Sequence, residues 1–513
     1  MILRDGACKS LWQDSVSSYE SKSTDFENSV FDVAIVGGGI TGITLALLLQ
    51  KEGKKCIVIE AKNLCYGTTG GTTAHLNTLL DNPYTNIIRD FGKDGAQIVA
   101  RATREAIDFV ESNIQAYSIN CGFENTAAYL FSQNGKQTRE LNNIHDACSE
   151  VGVESMFINS IPIAVPFEKA IEVARQGKFN PVQYVYALAG AFETAGGVIV
   201  QQCRVINTHE GDIISIETTL DNIKSRALVY ATHIPPGINL LHLRCSPYRS
   251  YAMAVKLQDE NYPDGLIYDM YDPYHYYRTQ VVNGEKFLIV GGEDHKTGEN
   301  QNTNKNFLQL ESHVRTYFQV TEISHRWSSQ YFEPADGLPY IGKLPGAKDN
   351  VYVATGYGGN GITYSQVAAL ELRDVINNKE SRYNELFKPG RIKPIAGFTG
   401  FVKHNTDVVG QFIGKWFATE KLEEVSSLAP DEGKVVKLST ETMALYKDET
   451  GGLHAVNPAC THMKCSVAWN ASEKSWDCPC HGSRFSMDGE VLTGPADVDL
   501  ELIELRSLLE KED

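Results

Sequence analysis

At 513 residues, with 42% apolar and 22% charged side chains, the chain has a globular composition and enough length for a large domain and a small one. A formal net charge of −17 offers no basic stripe for neutralising phosphates, which argues against nucleic acid as a partner and leaves cationic substrates electrostatically favoured. No apolar run approaches the length of a membrane span.

Residues 1–30 lack the apolar core of a signal peptide and read as a polar leader on a cytoplasmic protein. The 11 cysteines show no framework spacing outside residues 460–480, which suits reduced thiols. Residues 31–60 then form a βαβ pattern. An apolar strand over 31–36 runs into Gly37-Gly38-Gly39-Ile40-Thr41-Gly42, a helix over 43–51 follows, and a second strand, Cys56–Ile59, leads to Glu60 and Ala61. In this context the glycines have separate tasks: Gly37 makes the tight turn, Gly39 admits a pyrophosphate to the backbone, and Gly42 lets helix and strand pack closely. The helix N-terminus faces the phosphates, and Glu60 is placed to accept hydrogen bonds from a ribose.

The choice between FAD and NAD rests on later segments. Gly67, Thr68, Thr69, Thr72 and Thr73 belong to a small, hydroxyl-rich loop suited to close approach by a flat ring system. Residues 198–205 form a strand ending at Val205, and residues 227–232 form one ending at Thr232. Near residue 350 another strand leads into Gly356-Tyr357-Gly358-Gly359-Asn360-Gly361 and a helix beginning at Ile362. That second glycine run also has dinucleotide spacing, but its helix ends in a polar break with no second strand and acid, so a separate NAD(P)H domain is rejected.

Together these segments resemble the D-amino acid oxidase and glycine oxidase superfamily of FAD enzymes. The resemblance implies an α/β, Rossmann-like FAD-binding domain of the glutathione-reductase type with an antiparallel substrate sheet, over residues 31–377. It further implies that the helix after Gly361 aims its N-terminus at the flavin, that Val205 meets adenine through its backbone, and that the segment containing Gly337 belongs to the cofactor site. Some relatives tether the flavin through His or Cys. Cys65 and His75 are candidates, but Gly71 stands where a tethering histidine is expected, so FAD is expected to be non-covalent. In that family a Tyr and an Arg on the sheet anchor a substrate carboxylate. If residues 274–278 form a strand, Tyr277 and Arg278 are the candidates for that role, with Arg249 and Tyr251 as others, and a half-buried structural strand as the alternative.

Residues 378–420 read as a connector that includes an amphipathic stretch through Phe412 and Trp416, and from 421 to 513 the pattern changes to the short strands of a small all-β domain. Cys460-Thr461-His462 and Cys478-Pro479-Cys480-His481 each supply one Cys/His pair. A Rieske [2Fe–2S] centre needs this pattern: Cys460 and Cys478 hold one iron, His462 and His481 the other. Structural zinc sites group their ligands differently. Replacing thiolates by imidazoles puts such clusters at roughly −150 to +300 mV. The surrounding residues resemble the Rieske proteins of cytochrome bc-type complexes. That resemblance implies a Cys465–Cys480 disulfide, a hydroxyl from Ser483 donated to the cluster, and a cover loop at Gly494-Pro495-Ala496. Those proteins have tyrosine where this chain has Phe485, which implies a lower potential.

The expected function is therefore that of an oxidoreductase taking hydride from a carbon next to nitrogen on an amine or amino acid, with electrons leaving singly through the cluster to a one-electron acceptor, a protein among the candidates. The alternative is an electron-transfer or redox-sensing module working with a protein partner. A Rieske oxygenase is set aside for want of a His/His/carboxylate iron site.

Overall fold

A computed structural model describes residues 3–22, 26, 29–300, 302–391, 420–421, 428–438 and 441–505. The apolar strand and glycine turn of the sequence are the hub of a parallel sheet. Val30–Val36 lies between Ile223–Tyr230 and Cys56–Ile59, and Val351–Thr355 and Val198–Val200 extend the run on either side. These strands are buried on both faces, which is why their sequences are continuous apolar runs rather than alternating ones. The helix Ile40–Lys51 is apolar around most of its circumference because the sheet, Pro181–Thr194 and Gly361–Ile376 all cover it. A Cβ on Gly42 would stand 2.0 Å from the Gly37 carbonyl oxygen, and Gly37 itself has φ +114°. Both positions therefore exclude side chains.

A second, nine-stranded sheet lies beyond the ends of the parallel strands. Its order is Val320–Pro334, Cys245–Leu257, Glu285–Lys296, Tyr276–Val282, Leu266–Tyr268, Glu124–Ser132, Lys169–Lys178 and His75–Leu76, with Ser155–Ile158 also paired to Lys169–Lys178. All its pairings are antiparallel except that between Leu266–Tyr268 and Glu124–Ser132. The strand expected over 274–278 begins at Tyr276 and continues to Val282.

The C-terminal part comprises two four-stranded sheets, one containing Glu432–Leu438 and Glu441–Lys447, the other Ala468–Asn470, Ser475–Asp477, Arg484–Ser486 and Val491–Thr493. Tyr446, Trp476 and Phe485 fill its core. The connector stretch through Phe412 and Trp416 lies outside the described residues.

A polar leader is expected over residues 1–30, but residues 3–22 pack into the molecule. Leu11, Trp12 and Gln13 are buried, Trp12 Nε1 donates to the Thr72 carbonyl at 2.6 Å, and Gln13 Nε2 donates to that of Cys65 at 2.9 Å. Arg4 and Asp5 enter a buried charge network that joins the two parts of the molecule. Arg484 reaches Asp5 and Asp477 at 3.1 Å each, Arg249 reaches Asp477 at 3.7 Å, and Arg4 reaches Glu473 at 3.4 Å. Three guanidinium groups thus meet three carboxylates away from water, with Ser328 donating its backbone N–H to Glu473 at 2.8 Å.

Candidate functional site

One long cavity opens between the parallel sheet and the antiparallel sheet, where the parallel strands end. Gly37, Gly39, Ile40 and Thr41 line it, as do Glu60 and Ala61, the loop residues Gly67, Thr68, Thr69, Thr72 and Thr73, and Val205, Thr232, Gly359, Asn360, Gly361 and Ile362. Gly42 supports this cradle from inside the helix. Gly337 is not in the lining: its carbonyl accepts from Asn82 Nδ2 at 3.1 Å, so it braces the loop beside the cavity. Glu60 is fixed by the backbone N–H groups of Gly38 and Lys62, at 2.7 and 2.9 Å, while burial raises its pKa. A Cβ at Gly39 would meet the Thr69 hydroxyl at 2.9 Å, so the turn keeps its cavity face as bare backbone. This donor set, a glycine turn at a helix N-terminus with an acid after the second strand, fits FAD.

The antiparallel sheet supplies the opposite wall. Ser250, Tyr268, Tyr276, Asp294 and Tyr331 come from five of its strands and are joined by Tyr274, Asp81 and His75. The expected anchors are elsewhere. Arg278 shares a face with Tyr276 but lies two residues farther along, where its guanidinium donates to the carbonyls of Thr73 and Ala74, at 3.0 and 2.6 Å, and to that of Phe179. Tyr277 faces the other way and hydrogen-bonds His313. Arg249 belongs to the charge network, and Tyr251 meets His295 at 2.9 Å. Sequence reasoning missed Asp81, Asp294 and Tyr331. For Asp294 the available signal was an acid closing an apolar strand; Asp81 and Tyr331 offered none.

In the C-terminal part, the two Cys/His loops converge. The Cys460 thiol is drawn below its ordinary pKa, mainly by a hydrogen bond from Cys478, and the Ser483 hydroxyl also reaches it. The His462 and His481 rings lie 5.0 Å apart. His462 Nε2 meets the Gly237 carbonyl at 3.1 Å, while its Nδ1 is buried with no hydrogen-bond partner. A metal-ligating histidine needs that division of labour, one nitrogen oriented by a carbonyl and the other left for the metal. Cys465 and Cys480 form a disulfide bracing the loops. The donor set fits a [2Fe–2S] cluster.

These loops dock on the cavity-bearing part. The His242 ring stands edge-on to His462 at 4.7 Å and is held by the Pro235 carbonyl at 2.9 Å; burial lowers its pKa to about 4 and keeps it neutral. Gln330 lines the cavity and also donates to the Gly482 carbonyl at 2.8 Å. Val491, Leu492, Thr493, Gly494, Ala496 and Asp497 of the C-terminal part complete the cavity wall.

Residues 32–375 match the family model described as FAD dependent oxidoreductase, and residues 415–504 match that of the Rieske [2Fe-2S] domain. The chain is 35% identical to the Rieske 2Fe-2S iron-sulfur protein YhfW of Bacillus subtilis (strain 168), over 96% of this chain and 98% of that one. It is 22% identical to gamma-glutamylputrescine oxidoreductase of Escherichia coli (strain K12), over 73% of this chain and 90% of that protein. Among solved structures, glycine oxidase from Geobacillus kaustophilus superposes with a TM-score of 0.60 at 18% identity, covering 71% of this chain and 99% of the other, which shows a shared fold.

Proposed function

The chain belongs to the FAD dependent oxidoreductase family and carries a C-terminal Rieske [2Fe–2S] domain, and on that premise we propose that it oxidises an amine or amino acid and passes the electrons on singly. Its relatives make it an FAD-dependent oxidoreductase of the amine and amino acid type, and its cofactors are FAD and the [2Fe–2S] cluster. When bound, FAD supplies a two-electron acceptor for hydride from the carbon next to nitrogen, and the cluster a one-electron outlet to an acceptor, which we take to be a protein. The carrying observation is that one cavity is walled by both parts of the chain, with Gln330 spanning from its lining to the cluster loop.

The chain's own residues have distinct tasks in this reading. The Gly37–Gly42 turn receives the pyrophosphate and Glu60 the ribose. The helix Gly361–Ile376 presents its N-terminus where negative charge develops. The buried Cys65 thiol is held well above its ordinary pKa, which supports a non-covalent flavin, because the protonated thiol is a poor nucleophile. Apart from Cys465 and Cys480, the described cysteines are unpaired, which supports a reducing, cytoplasmic setting. No described helix is long and apolar enough to cross a membrane.

The test uses a cluster-deficient His462→Ala variant with a panel of amines and amino acids. The flavin should still be bleached anaerobically at a near-normal rate, while turnover with a one-electron acceptor collapses. Full acceptor turnover without the cluster would refute the outlet.

A further inference from the structure

The substrate wall of the cavity has a chemical bias that the family assignment does not supply. Among the described lining residues the Arg and Lys side chains are Lys62 and Arg204, both beside Glu60 and Val205 at the nucleotide end. The other end carries two carboxylates, Asp81 and Asp294, and four tyrosines, Tyr268, Tyr274, Tyr276 and Tyr331. The histidines lining the cavity are held neutral there: burial lowers His75 well below its ordinary range and His233 to about 4.

The two carboxylates are built into the wall. Asp81 Oδ2 accepts from the Tyr274 hydroxyl at 3.0 Å, and its backbone N–H donates to Asn360 Oδ1 at 2.9 Å. A Cβ on Gly359 would stand 1.9 Å from Asp81 Oδ2, which places this carboxylate directly against the glycine run before helix Gly361–Ile376. Asp81 lines the cavity and is exposed to solvent, while the protein packed around it partly desolvates its carboxylate. Asp294 Oδ2 accepts from the Tyr331 hydroxyl at 2.9 Å, whereas its Oδ1 is buried and makes no hydrogen bond. Burial, with the nearby charge of Asp81, lifts the Asp294 carboxyl to about 7, and burial lifts Asp81 to about 6. The cation that acts on Asp294, His275, is already held by Asp269 and Glu293 at 2.8 and 3.3 Å and does not line the cavity, so the buried Asp294 Oδ1 is left to a cationic ligand. The Tyr274 and Tyr276 rings, with centroids 5.6 Å apart, add the negative π-faces that attract organic cations. A substrate carboxylate brought here would meet two like charges and no guanidinium, since Arg278 and Arg249 are committed to the carbonyls and carboxylates described above.

We propose that the substrate is an alkylammonium ion without a carboxylate on the carbon to be oxidised, held by Asp81 and Asp294 within the ring of tyrosines. This rests on the reading of the chain as an enzyme that oxidises next to nitrogen, and it narrows that reading from amines and amino acids to amines.

The experiment uses the full-length holoprotein at pH 8, where both acids are ionised. Tetramethylammonium, which cannot be oxidised, and acetate serve as binding probes, followed by perturbation of the flavin spectrum and by calorimetry. Wild type should bind tetramethylammonium and not acetate. Asp294→Asn and Asp81→Asn should each weaken tetramethylammonium binding at least tenfold at unchanged flavin content, and Asp294→Glu, which keeps the charge, should largely retain it. Acetate binding as tightly as tetramethylammonium, or unaltered cation binding in both Asn variants, would overturn the proposal. The oxidation reading is separated by anaerobic bleaching with n-butylamine and with norvaline, the same amine bearing a carboxylate on the oxidised carbon. Faster bleaching by butylamine supports the narrowing, and faster bleaching by norvaline overturns it. Aspartate-dependent cation binding with no bleaching by any amine or amino acid would leave the site standing and overturn the reading of the enzyme.

Discussion

Replacing Asp477 by asparagine removes one charge from the buried network between the two parts of the molecule while keeping the side chain's volume. Asp477 faces Arg484 at 3.1 Å and Arg249 at 3.7 Å, with side-chain exposures of 2% or less throughout. At an effective dielectric of about 20, these two attractions amount to roughly 5 and 4.5 kcal/mol before desolvation is charged against them. The variant leaves three buried guanidinium groups facing two carboxylates, and removing one partner of such a set costs about 3–5 kcal/mol. Unfolding in urea should show that loss, with flavin fluorescence reporting one part and the visible circular dichroism of the cluster the other. Asp477 has a lowered carboxyl pKa despite its burial, owing to Arg484 and Arg249. A depressed folded-state pKa stabilises above the unfolded value and is lost on acidification, so the gap between wild type and variant should shrink as the pH falls below about 4. Lys474→Met provides the control. Lys474 pairs with Glu449 and Asp431 at a half-exposed site, and its loss should cost less than about 1 kcal/mol. A loss for Asp477→Asn no larger than the control's would refute the reasoning.

Gly39→Val fills the bare backbone of the turn and should abolish flavin content while leaving iron and acid-labile sulfide intact; Cys460→Ser should do the reverse, as cofactor analysis of both proteins would show. Ser483→Ala removes the hydroxyl beside Cys460 and should lower the cluster midpoint in a redox titration, whereas Phe485→Tyr should raise it; two unchanged midpoints would exclude hydrogen-bond tuning at this loop. Tetramethylammonium affinity should rise as the pH is raised from 6 to 8, because Asp294, surrounded by Ser250, Tyr331, Asp81 and His275, ionises over that range with a carboxyl at about 7. Asp294→Asn should flatten that profile, leaving the smaller change due to Asp81.

The two cofactor motifs were legible because each is local. The glycine turn and its acid lie within residues 37–60, and the cluster ligands within 460–481, so spacing states dinucleotide binding and the iron–sulfur centre, whereas the choice of FAD rested on later segments and the family resemblance. The substrate wall assembles side chains from residues 81, 250, 268, 274, 276, 294 and 331, and no short-range pattern links them. Strand alternation correctly put Tyr276 and Arg278 on one face, but a face extends beyond the cavity. Two residues along, Arg278 meets backbone carbonyls instead of a ligand. The N-terminal stretch was misread for a related reason: Arg4 and Asp5 look like solvated charges until the chain brings Glu473 and Arg484 to them. Likewise His242 carries no motif, and its place beside His462 depends on docking between parts more than 200 residues apart.

In the proposed route, electrons pass from flavin to cluster within one chain. That route is tested most directly by photoreducing the flavin of the anaerobic holoprotein with a light pulse and following the cluster's visible absorption. The cluster should be reduced at a rate independent of protein concentration. A rate proportional to concentration, or a cluster that stays oxidised beside reduced flavin, would contradict it.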